Sequence, residues 1–270
     1  MRTLRKVGAF VRRDVLEMAS YRTNFVFSMV GILFSSLTFF FLSRLVDAHR
    51  VPELAPYGGQ YFPFVLVGMA FYQFLGTGIG ALSDSLQRAQ TTGTLEALLV
   101  TPTPLPVVIL SSTIFPFLFS ALRVVVFLAV GVVVFGVDLS HANIAAALFV
   151  LALSTVSFTA IGMLSASWIM IFKGGSPTGF VFGGISAMLG GVLFPPTVLY
   201  PWMRPLSAAL PITYALEAMR RAVLLGDGLP QLGAPIAALL VFTAVLLPAG
   251  VAAFSLAVRR AKRTGSLVQY

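Results

Sequence analysis

The sequence has no cysteine, only two histidines and few charged residues. Of its 270 residues, 18 are basic and 9 are acidic, so charged side chains make up 10% of the chain, whereas about 25% is usual for a soluble domain. The absence of cysteine excludes disulfides and thiolate metal sites. His49 and His141 fall in predicted loops without a third ligand, so we predict neither a metal site nor a catalytic centre.

Apolar side chains are present in large excess. Hydrophobic residues make up 58% of the chain, and the mean hydropathy is +0.94. So few ionic side chains cannot cover the surface of a water-soluble fold of this length, and the apolar surplus must therefore face lipid. The composition predicts an integral membrane protein.

Six apolar runs are long enough to cross a bilayer and predict an all-α protein with six transmembrane helices. We place these spans at residues 24–46, 61–82, 107–135, 144–172, 179–199 and 235–258. If the N-terminus is cytoplasmic, the inner segments carry 12 of the 18 basic residues and the outer segments carry five. Because basic residues concentrate on the cytoplasmic side, we predict that both termini are cytoplasmic. Topology then explains the net charge of +9, and no nucleic acid partner is expected.

The region before the first span has apolar residues at steps of three and four between its basic residues. This pattern is typical of a helix that lies in the plane of the lipid headgroups. We therefore predict an interfacial helix over residues 1–23, with a frayed basic tail as the alternative.

Residues 83–106 connect the second and third spans on the predicted inner side and contain a short helix of their own. Thr94 can cap this helix, Leu95 and Leu98 lie on its apolar face, and Pro102 ends it. An exposed apolar face on a short cytoplasmic helix fits a groove in a partner protein. A helix that lies on the membrane surface would have the same pattern.

Residues 200–234, on the predicted outer side, follow a run of prolines and aromatic residues. Repeated prolines forbid a continuous helix, so we predict a re-entrant pair of helices that enters the outer leaflet and returns. Glu217 lies three and four residues before Arg220 and Arg221, which favours a local salt-bridged face. The residues singled out in this region are Pro195, Pro201, Trp202, Pro211, Tyr214, Glu217 and Arg220.

Arg123 lies near the middle of the third span, where insertion of a charge costs about 2.5–3.5 kcal/mol. No acidic residue lies in any predicted span. The candidate partners are a substrate anion, a lipid phosphate, carbonyl groups of the re-entrant segment, or Glu217. The alternative is that Arg123 snorkels along Ser120 and local water without a role in transport.

Small residues recur in the fifth and second spans. They are Gly179, Gly183, Ala187 and Gly191 in the fifth span, and Gly76 and Gly80 in the second. Such stripes let helix backbones approach closely. The contact is either between spans of one chain or between two chains.

Two patches of the sequence resemble the membrane subunits of type-2 ATP-binding-cassette (ABC) exporters. The first looks like the cytoplasmic coupling region of that family and consists of Gly93-Thr94-Leu95-Glu96 with Leu98, Leu99, Thr101 and Pro102. The second is similar to the outer re-entrant helices and consists of Gly191, Phe194-Pro195, Leu199, Pro201, Pro205-Leu206, Leu210-Pro211, Tyr214, Glu217 and Arg220. A third, shorter match is Tyr21-Arg22 with Asn24-Phe25.

The resemblance implies a permease of the bacterial plasma (inner) membrane that dimerises and binds two ABC ATPase subunits. A homodimer is preferred, and a heterodimer is the open alternative. It also implies that the second and fifth spans border the translocation path, so the small residues above would lie on that path or at the dimer contact. As a separate hypothesis, Arg123 faces the cavity at the dimer interface. The residues expected to couple to the ATPase are Arg88, Gly93, Thr94, Leu95, Glu96, Leu98, Leu99, Thr101, Pro102 and Lys173.

The sequence contains no Gly-x-x-x-x-Gly-Lys-Ser/Thr phosphate loop. ATP and Mg are therefore expected on a separate partner chain, and this chain is expected to be a non-catalytic permease without a cofactor of its own. Members of the family often carry charges where this sequence reads Gln90-Thr91-Thr92 and Leu110-Ser111-Ser112. Whether the coupling uses ionic contacts is therefore open.

The apolar, aromatic-rich spans suit an amphipathic or lipid-like substrate, although phenylalanine that faces lipid explains them as well. The start of the chain resembles the drug and lipid branch of the family, which implies a drug-like or lipid-like substrate. Membrane lipid is a further expected partner. A polysaccharide or glycolipid is the alternative within the same family. A secondary transporter and a membrane scaffold without an ATPase are the alternatives outside it. Ion coupling normally needs ionisable residues at the centre of the membrane, and Arg123 alone lies there.

Overall fold

The computed structural model describes residues 22–45, 51–91, 105–172 and 177–264, and these parts of the chain are helical. The long helices are α1 (Arg22–Leu45), α2 (Tyr61–Thr91), α3 (Leu105–Phe135), α4 (Ile144–Phe172) and α8 (Gly233–Thr264). The shorter helices are α5 (Pro177–Leu189), α6 (Arg204–Ala208) and α7 (Pro211–Arg220). Two 3₁₀ turns (Pro52–Tyr57 and Pro196–Val198) and a π-helical turn (Arg221–Leu225) complete the described elements.

Four of the described helices are long and apolar enough to cross a membrane. They are Tyr61–Gln87, Thr113–Phe135, Ile144–Phe172 and Gly233–Ala261. Helix α1 adds a shorter apolar stretch at Val30–Leu45, and α5 has 13 residues. Since a helix rises 1.5 Å per residue, α5 is only about 20 Å long, against a hydrocarbon core of about 30 Å. The all-helical, multi-pass character is confirmed, whereas the count of six spans stays a prediction.

The fifth predicted span, residues 179–199, is helical only as far as Leu189. Gly191 has a φ of +79°, a left-handed conformation that glycine adopts without strain. Pro195 and Pro196 follow, and the chain turns through the 3₁₀ turn that begins at Pro196. The difference arises because hydropathy alone does not register the glycine and the prolines that end the helix.

Helix α2 is the centre of the fold and packs against α1, α3, α4, α5 and α7. Phe71 and Phe74 of α2 are buried against Phe158 of α4, and Phe74 also packs on Phe117 of α3, with ring centroids 5.2 Å apart. On the opposite side of α3, residues such as Leu118 and Val125 are exposed. Exposed apolar side chains on a spanning helix are the surface that faces lipid.

The backbones of α2 and α4 are in contact at Gly78 and Gly162. A Cβ added to Gly162 would collide with the carbonyl oxygen of Gly78, and one added to Gly78 would collide with Phe158. By contrast, Gly76 has open space around it. The position of Gly80 faces the side chain of Asp84, on its own helix. The close contact within the chain therefore uses the glycine between the two that the sequence pattern singled out.

Several predictions fall on residues outside the described part of the chain. These are most of the interfacial helix, the coupling residues from Gly93 to Pro102, and Lys173. Arg88 and Gly179 lie in α2 and α5, but only their backbone is described. These predictions remain as stated.

Candidate functional site: a buried arginine in the outer segment

Helix α7 is amphipathic and buries one face against α2, α4 and α8. Ile212, Ala215, Leu216 and Met219 are on that buried face. Arg220 follows at the end of the helix and lies four residues after Leu216, so the same periodicity turns it inward. Its side chain is 1% exposed, and Arg220 is the only charged residue that is buried in the described part of the chain.

The guanidinium of Arg220 donates hydrogen bonds to three backbone carbonyl oxygens from two other segments. Nε donates to Phe64 O at 3.1 Å in the first turn of α2. Nη1 donates to Gly191 O at 2.7 Å and Nη2 to Val192 O at 2.8 Å, just after α5 ends. We call Arg220 with these three carbonyl groups the Arg220 clamp. A buried charge is tolerated only when polar groups replace its lost hydration, and the three carbonyl dipoles do so here.

Two aromatic rings complete the surroundings of Arg220. Its guanidinium carbon lies 3.4 Å from the centroid of Phe64 and 5.9 Å from that of Tyr57. The π faces of aromatic rings attract cations, more strongly where water is excluded. Tyr57 belongs to the Pro52–Tyr57 turn, so the connection between α1 and α2 contributes a ring to the site.

The Arg220 clamp requires a glycine on α2. A Cβ added to Gly68 would collide with Val192 O and with Nη2 of Arg220. The sequence analysis missed Gly68, Phe64 and Tyr57. The sequence contained one signal for Gly68. Gly76 and Gly80 are four residues apart, and the same spacing continued toward the start of the helix passes Tyr72 and arrives at Gly68.

The predicted salt-bridged face of Glu217 with Arg220 and Arg221 is wrong. Arg220 bonds the carbonyl groups described above, and Arg221 pairs with Asp227 at 2.7 Å. Arg221 also donates to Gln231 O at 3.1 Å. The π-helical turn after Arg220 places Arg221 outside the buried face. Glu217 is partly buried, which raises the pKa of its carboxyl group, while the charge of Arg221 acts in the opposite direction.

The other predicted residues of the outer segment lie in or before the helical pair formed by α6 and α7. Pro211 is the first residue of α7, where a missing N–H is not costly. Tyr214 donates through its hydroxyl to Ala208 O at 3.0 Å. Pro195 precedes the 3₁₀ turn at residues 196–198, Pro201 begins the turn into α6, and Trp202 is 68% exposed. The helical pair is observed, and its entry into the outer leaflet stays a prediction.

Arg123 lies apart from the Arg220 clamp, in the middle of α3. Its guanidinium carbon is 4.5 Å from the centroid of the Phe119 ring. Its Nε is buried and has no hydrogen-bond partner among the described residues. The carbonyl groups that follow α5, Gly191 O and Val192 O, accept hydrogen bonds from Arg220.

Two of the small residues predicted in the fifth span have contacts in the structure. The carbonyl oxygen of Gly183 accepts a hydrogen bond from the Tyr72 hydroxyl at 3.3 Å, which links α5 to α2. Gly191 contributes a carbonyl to the Arg220 clamp, and Ala187 is partly exposed. A role in the translocation path or the dimer contact stays a prediction.

The fold and this site define a multi-pass helical membrane protein in which a buried arginine ties the outer segment to two other helices. The chain matches the model of the ABC-2 type transporter family over residues 6–224, and it belongs to that family. It is a permease component of an ABC transporter, a class that is typically non-catalytic and works with ABC ATPase partners. The search of curated proteins found no match to the chain.

Proposed function

We propose that this chain is the transmembrane subunit of an ATP-driven exporter. Two identical chains would associate in the bacterial inner membrane, couple to separate ATPase subunits, and move an amphipathic, drug-like or lipid-like substrate out of the cytoplasm. The observation that carries the proposal is the family match over residues 6–224. That range includes the whole 83–106 segment, which would hold the ATPase, and residues 200–224 of the outer segment.

The 83–106 segment has the chemistry of a docking element. Leu95, Leu98 and Leu99 fall within five residues and form one apolar face on a helix. Helix-in-groove recognition uses apolar anchors at this spacing. Glu96 and Arg88 are the charged residues closest to this face in the sequence, and Lys173 would provide a second contact from the other inner loop. ATP and Mg would be bound by the partner, because this sequence has no phosphate loop.

The Arg220 clamp supports a transport role for the outer segment. It fixes the outer helical pair to the first turn of α2 and to the end of α5. A displacement of α2 by the ATPase would therefore be transmitted through the clamp to α7. Packed elements of this kind move as units, since interfaces repack between discrete arrangements.

Co-purification tests the coupling. The full-length chain is expressed together with a candidate ABC ATPase and isolated in mild detergent. We expect the wild-type chain to retain the ATPase and the Leu95→Asp and Leu98→Asp variants to lose it, since a carboxylate cannot be buried in an apolar groove. Leu229→Asp is the matched control, because Leu229 is 44% exposed in the loop before α8. Failure of the wild-type chain to retain any ATPase contradicts the proposal.

Labelling of single cysteines tests the orientation. The sequence has no cysteine, so Thr94→Cys and Trp202→Cys each carry one thiol without further mutation. We expect a membrane-impermeant maleimide added to intact cells to label Cys at position 202 and to label position 94 only after permeabilisation. Labelling of position 94 in intact cells would place the coupling segment on the wrong side of the membrane.

A secondary transporter is the second candidate, and the structure contains one observation relevant to it. Arg123 lies in the middle of a spanning helix, where ionisable residues often serve ion coupling. Uptake driven by an ion gradient in vesicles that contain this chain alone would favour that function. ATP-dependent transport that requires the partner subunit would exclude it.

A further inference from the structure

The charge of Arg123 lies far from both ends of α3. The helix has 31 residues and is therefore about 46 Å long at 1.5 Å per residue. The guanidinium lies over Phe119, which is one turn before Arg123 and one residue from the middle of the helix. Each end of α3 is then about 20 Å from the charge. Arg123 therefore places its charge within the spanning part of α3, about one turn from its own backbone position in the direction of Phe119.

The described residues provide no carboxylate for this charge. In the antiparallel pair of α2 and α3, Thr77 bonds Ser120 at 3.1 Å, and the position of Gly131 faces Leu66. In this register, Arg123 is at the same level along the helix pair as Phe74. Within the described spanning helices, Asp84 is the only acidic residue. It lies ten residues after Phe74 on α2, which is about 15 Å further along the helix axis.

Arg123 lies on the flank of α3 that faces away from α4. Phe117 packs on Phe74 and lies beside the contact of Gly78 with α4. Six residues separate Phe117 from Arg123, which places Arg123 about 120° around the helix from that side. The guanidinium is at the level of the hydrogen bond between Thr77 and Ser120.

The same flank of α2 is polar and open. Gln73, Thr77 and Gly80 are partly exposed there, and Gly76 is exposed with open space beside it. Polar and small residues on one side of a spanning helix mark a side that meets water, substrate or another helix and not lipid tails. The cation of Arg123 and the polar flank of α2 therefore border one region.

The geometry of the guanidinium determines the ligand that would fit. One face of the plane lies against the Phe119 ring, while the N–H donors at the edge of the plane have no described acceptor at Nε. An arginine in this arrangement binds carboxylate or phosphate oxygens through two parallel hydrogen bonds. A neutral ligand would leave the charge without a counter-ion in a medium of low dielectric constant.

We propose that Arg123 binds the anionic group, a carboxylate or a phosphate, of an amphiphilic molecule that occupies the open flank of α2 and α3. The apolar part of the molecule lies along the spanning helices, and the anionic group lies at the level of Thr77 and Ser120. This inference deepens the proposed function, because it specifies that the substrate class is anionic. It concerns ligand binding by this chain alone and needs no ATPase.

The test measures binding of a fluorescent anionic amphiphile to the purified full-length chain in neutral detergent. The probe is dansyl-aminoundecanoic acid, and its methyl ester is the uncharged match. Energy transfer from Trp168 and Trp202 reports binding. We expect the acid to bind the wild-type chain about tenfold more tightly than the ester, because the carboxylate accepts a charge-assisted hydrogen bond from Arg123 that the ester lacks.

Substitution of Arg123 distinguishes its role from that of the rest of the protein. Arg123→Gln should abolish the preference for the acid and leave binding of the ester unchanged, which also shows that the variant is folded. Arg123→Lys should retain part of the preference. Arg204→Gln is the matched control, because Arg204 bonds the carbonyl groups of Leu199 and Thr197 in the outer segment, and it should leave both affinities unchanged. Equal binding of acid and ester by the wild-type chain, or a preference that survives Arg123→Gln, overturns the proposal.

Competition identifies the source of the anion. One arm adds inorganic phosphate and the other adds a short-chain phosphatidylglycerol, each at the same concentration. Displacement by the lipid alone assigns the site to an amphiphile, as proposed, whereas displacement by phosphate alone overturns the amphiphile part of the assignment. Failure of the ATPase co-purification would contradict the proposed function and leave this result standing, so the two failures can be told apart.

Discussion

Gly68 on α2 and Arg220 on α7 depend on each other. Nη2 of Arg220 and the Val192 carbonyl oxygen to which it donates both occupy the space that a Cβ of residue 68 would fill. The absence of a side chain on α2 therefore allows a buried cation to reach carbonyl groups of another segment.

Gly68→Ala is expected to displace Arg220 or Val192 and to destabilise the protein by about 1–3 kcal/mol, the usual effect of overpacking. Thermal unfolding followed by size-exclusion chromatography in detergent measures this as a fall in Tm. Gly76→Ala is the matched control on the same helix, since nothing lies within 4 Å of the added Cβ. It should leave Tm unchanged or raise it slightly, because alanine has the higher helix propensity. Equal effects of the two substitutions would contradict the assigned contact.

Arg220→Lys is expected to lose most of the contribution of the Arg220 clamp. An ammonium is a compact donor that cannot bond Phe64 O, Gly191 O and Val192 O with the planar geometry of a guanidinium. Disruption of a buried charged network costs about 3–5 kcal/mol, so a large fall in Tm is expected. The neighbouring Arg221→Lys is the control, because Arg221 makes a partly exposed ion pair with Asp227, a contact worth about 0.2–1 kcal/mol. A stable Arg220→Lys variant that transports normally would show that the clamp is dispensable.

Gly162→Ala is expected to separate α4 from α2. The added methyl group would collide with the carbonyl oxygen of Gly78, which belongs to helix backbone and cannot rotate away. We expect a lower Tm and a lower yield of folded protein in membranes. Gly184→Ala on α5 should have little effect, because its surroundings are open. Tm values are compared for both variants in the same detergent, and a neutral Gly162→Ala would argue against the backbone contact.

Glu217 should make stability depend on pH. Burial raises the pKa of its carboxyl group above the ordinary value of 4.5, so the folded state binds the proton more tightly than the unfolded state does. Between those two pKa values the folded state holds more protons, and its stability therefore falls as the pH rises through that window. Glu217→Gln should remove this fall, so that its Tm exceeds that of the wild-type chain at pH 7 but not at pH 4. A pH profile of Tm identical to that of the wild-type chain would contradict the assignment.

The sequence predicted the helices better than it predicted their contacts. Helices α3 and α4 begin and end within two residues of the predicted spans, because a long apolar run without charges is a local property that a bilayer selects directly. Helix α2 begins at Tyr61 as predicted but continues nine residues past the predicted end, to Thr91. The fifth span was predicted ten residues too long. Its apolar residues continue beyond Leu189, and only the glycine and proline positions mark the end of the helix.

The candidate site could be predicted only in part. Arg220 and the prolines around it stood out in the sequence, but the partner assigned to the region, Glu217, was the nearest charge along the chain. The actual acceptor on α2, Phe64 O, is 156 residues away from Arg220. Backbone carbonyl groups are the same at every position, so no sequence pattern distinguishes the three that bond Arg220.

By itself, the sequence determined that this is a multi-pass helical membrane protein, and its coupling and outer patches indicated the family. Composition and local motifs carry that information because lipid imposes the same requirement on every spanning segment. Only the tertiary structure decided that Gly78, and not Gly76 or Gly80, contacts α4, and that Arg220 turns inward. Those outcomes depend on which face of each helix meets its neighbour. A helix repeats every 3.6 residues, so a rotation of 100° exchanges one face for another without changing the hydropathy of the run.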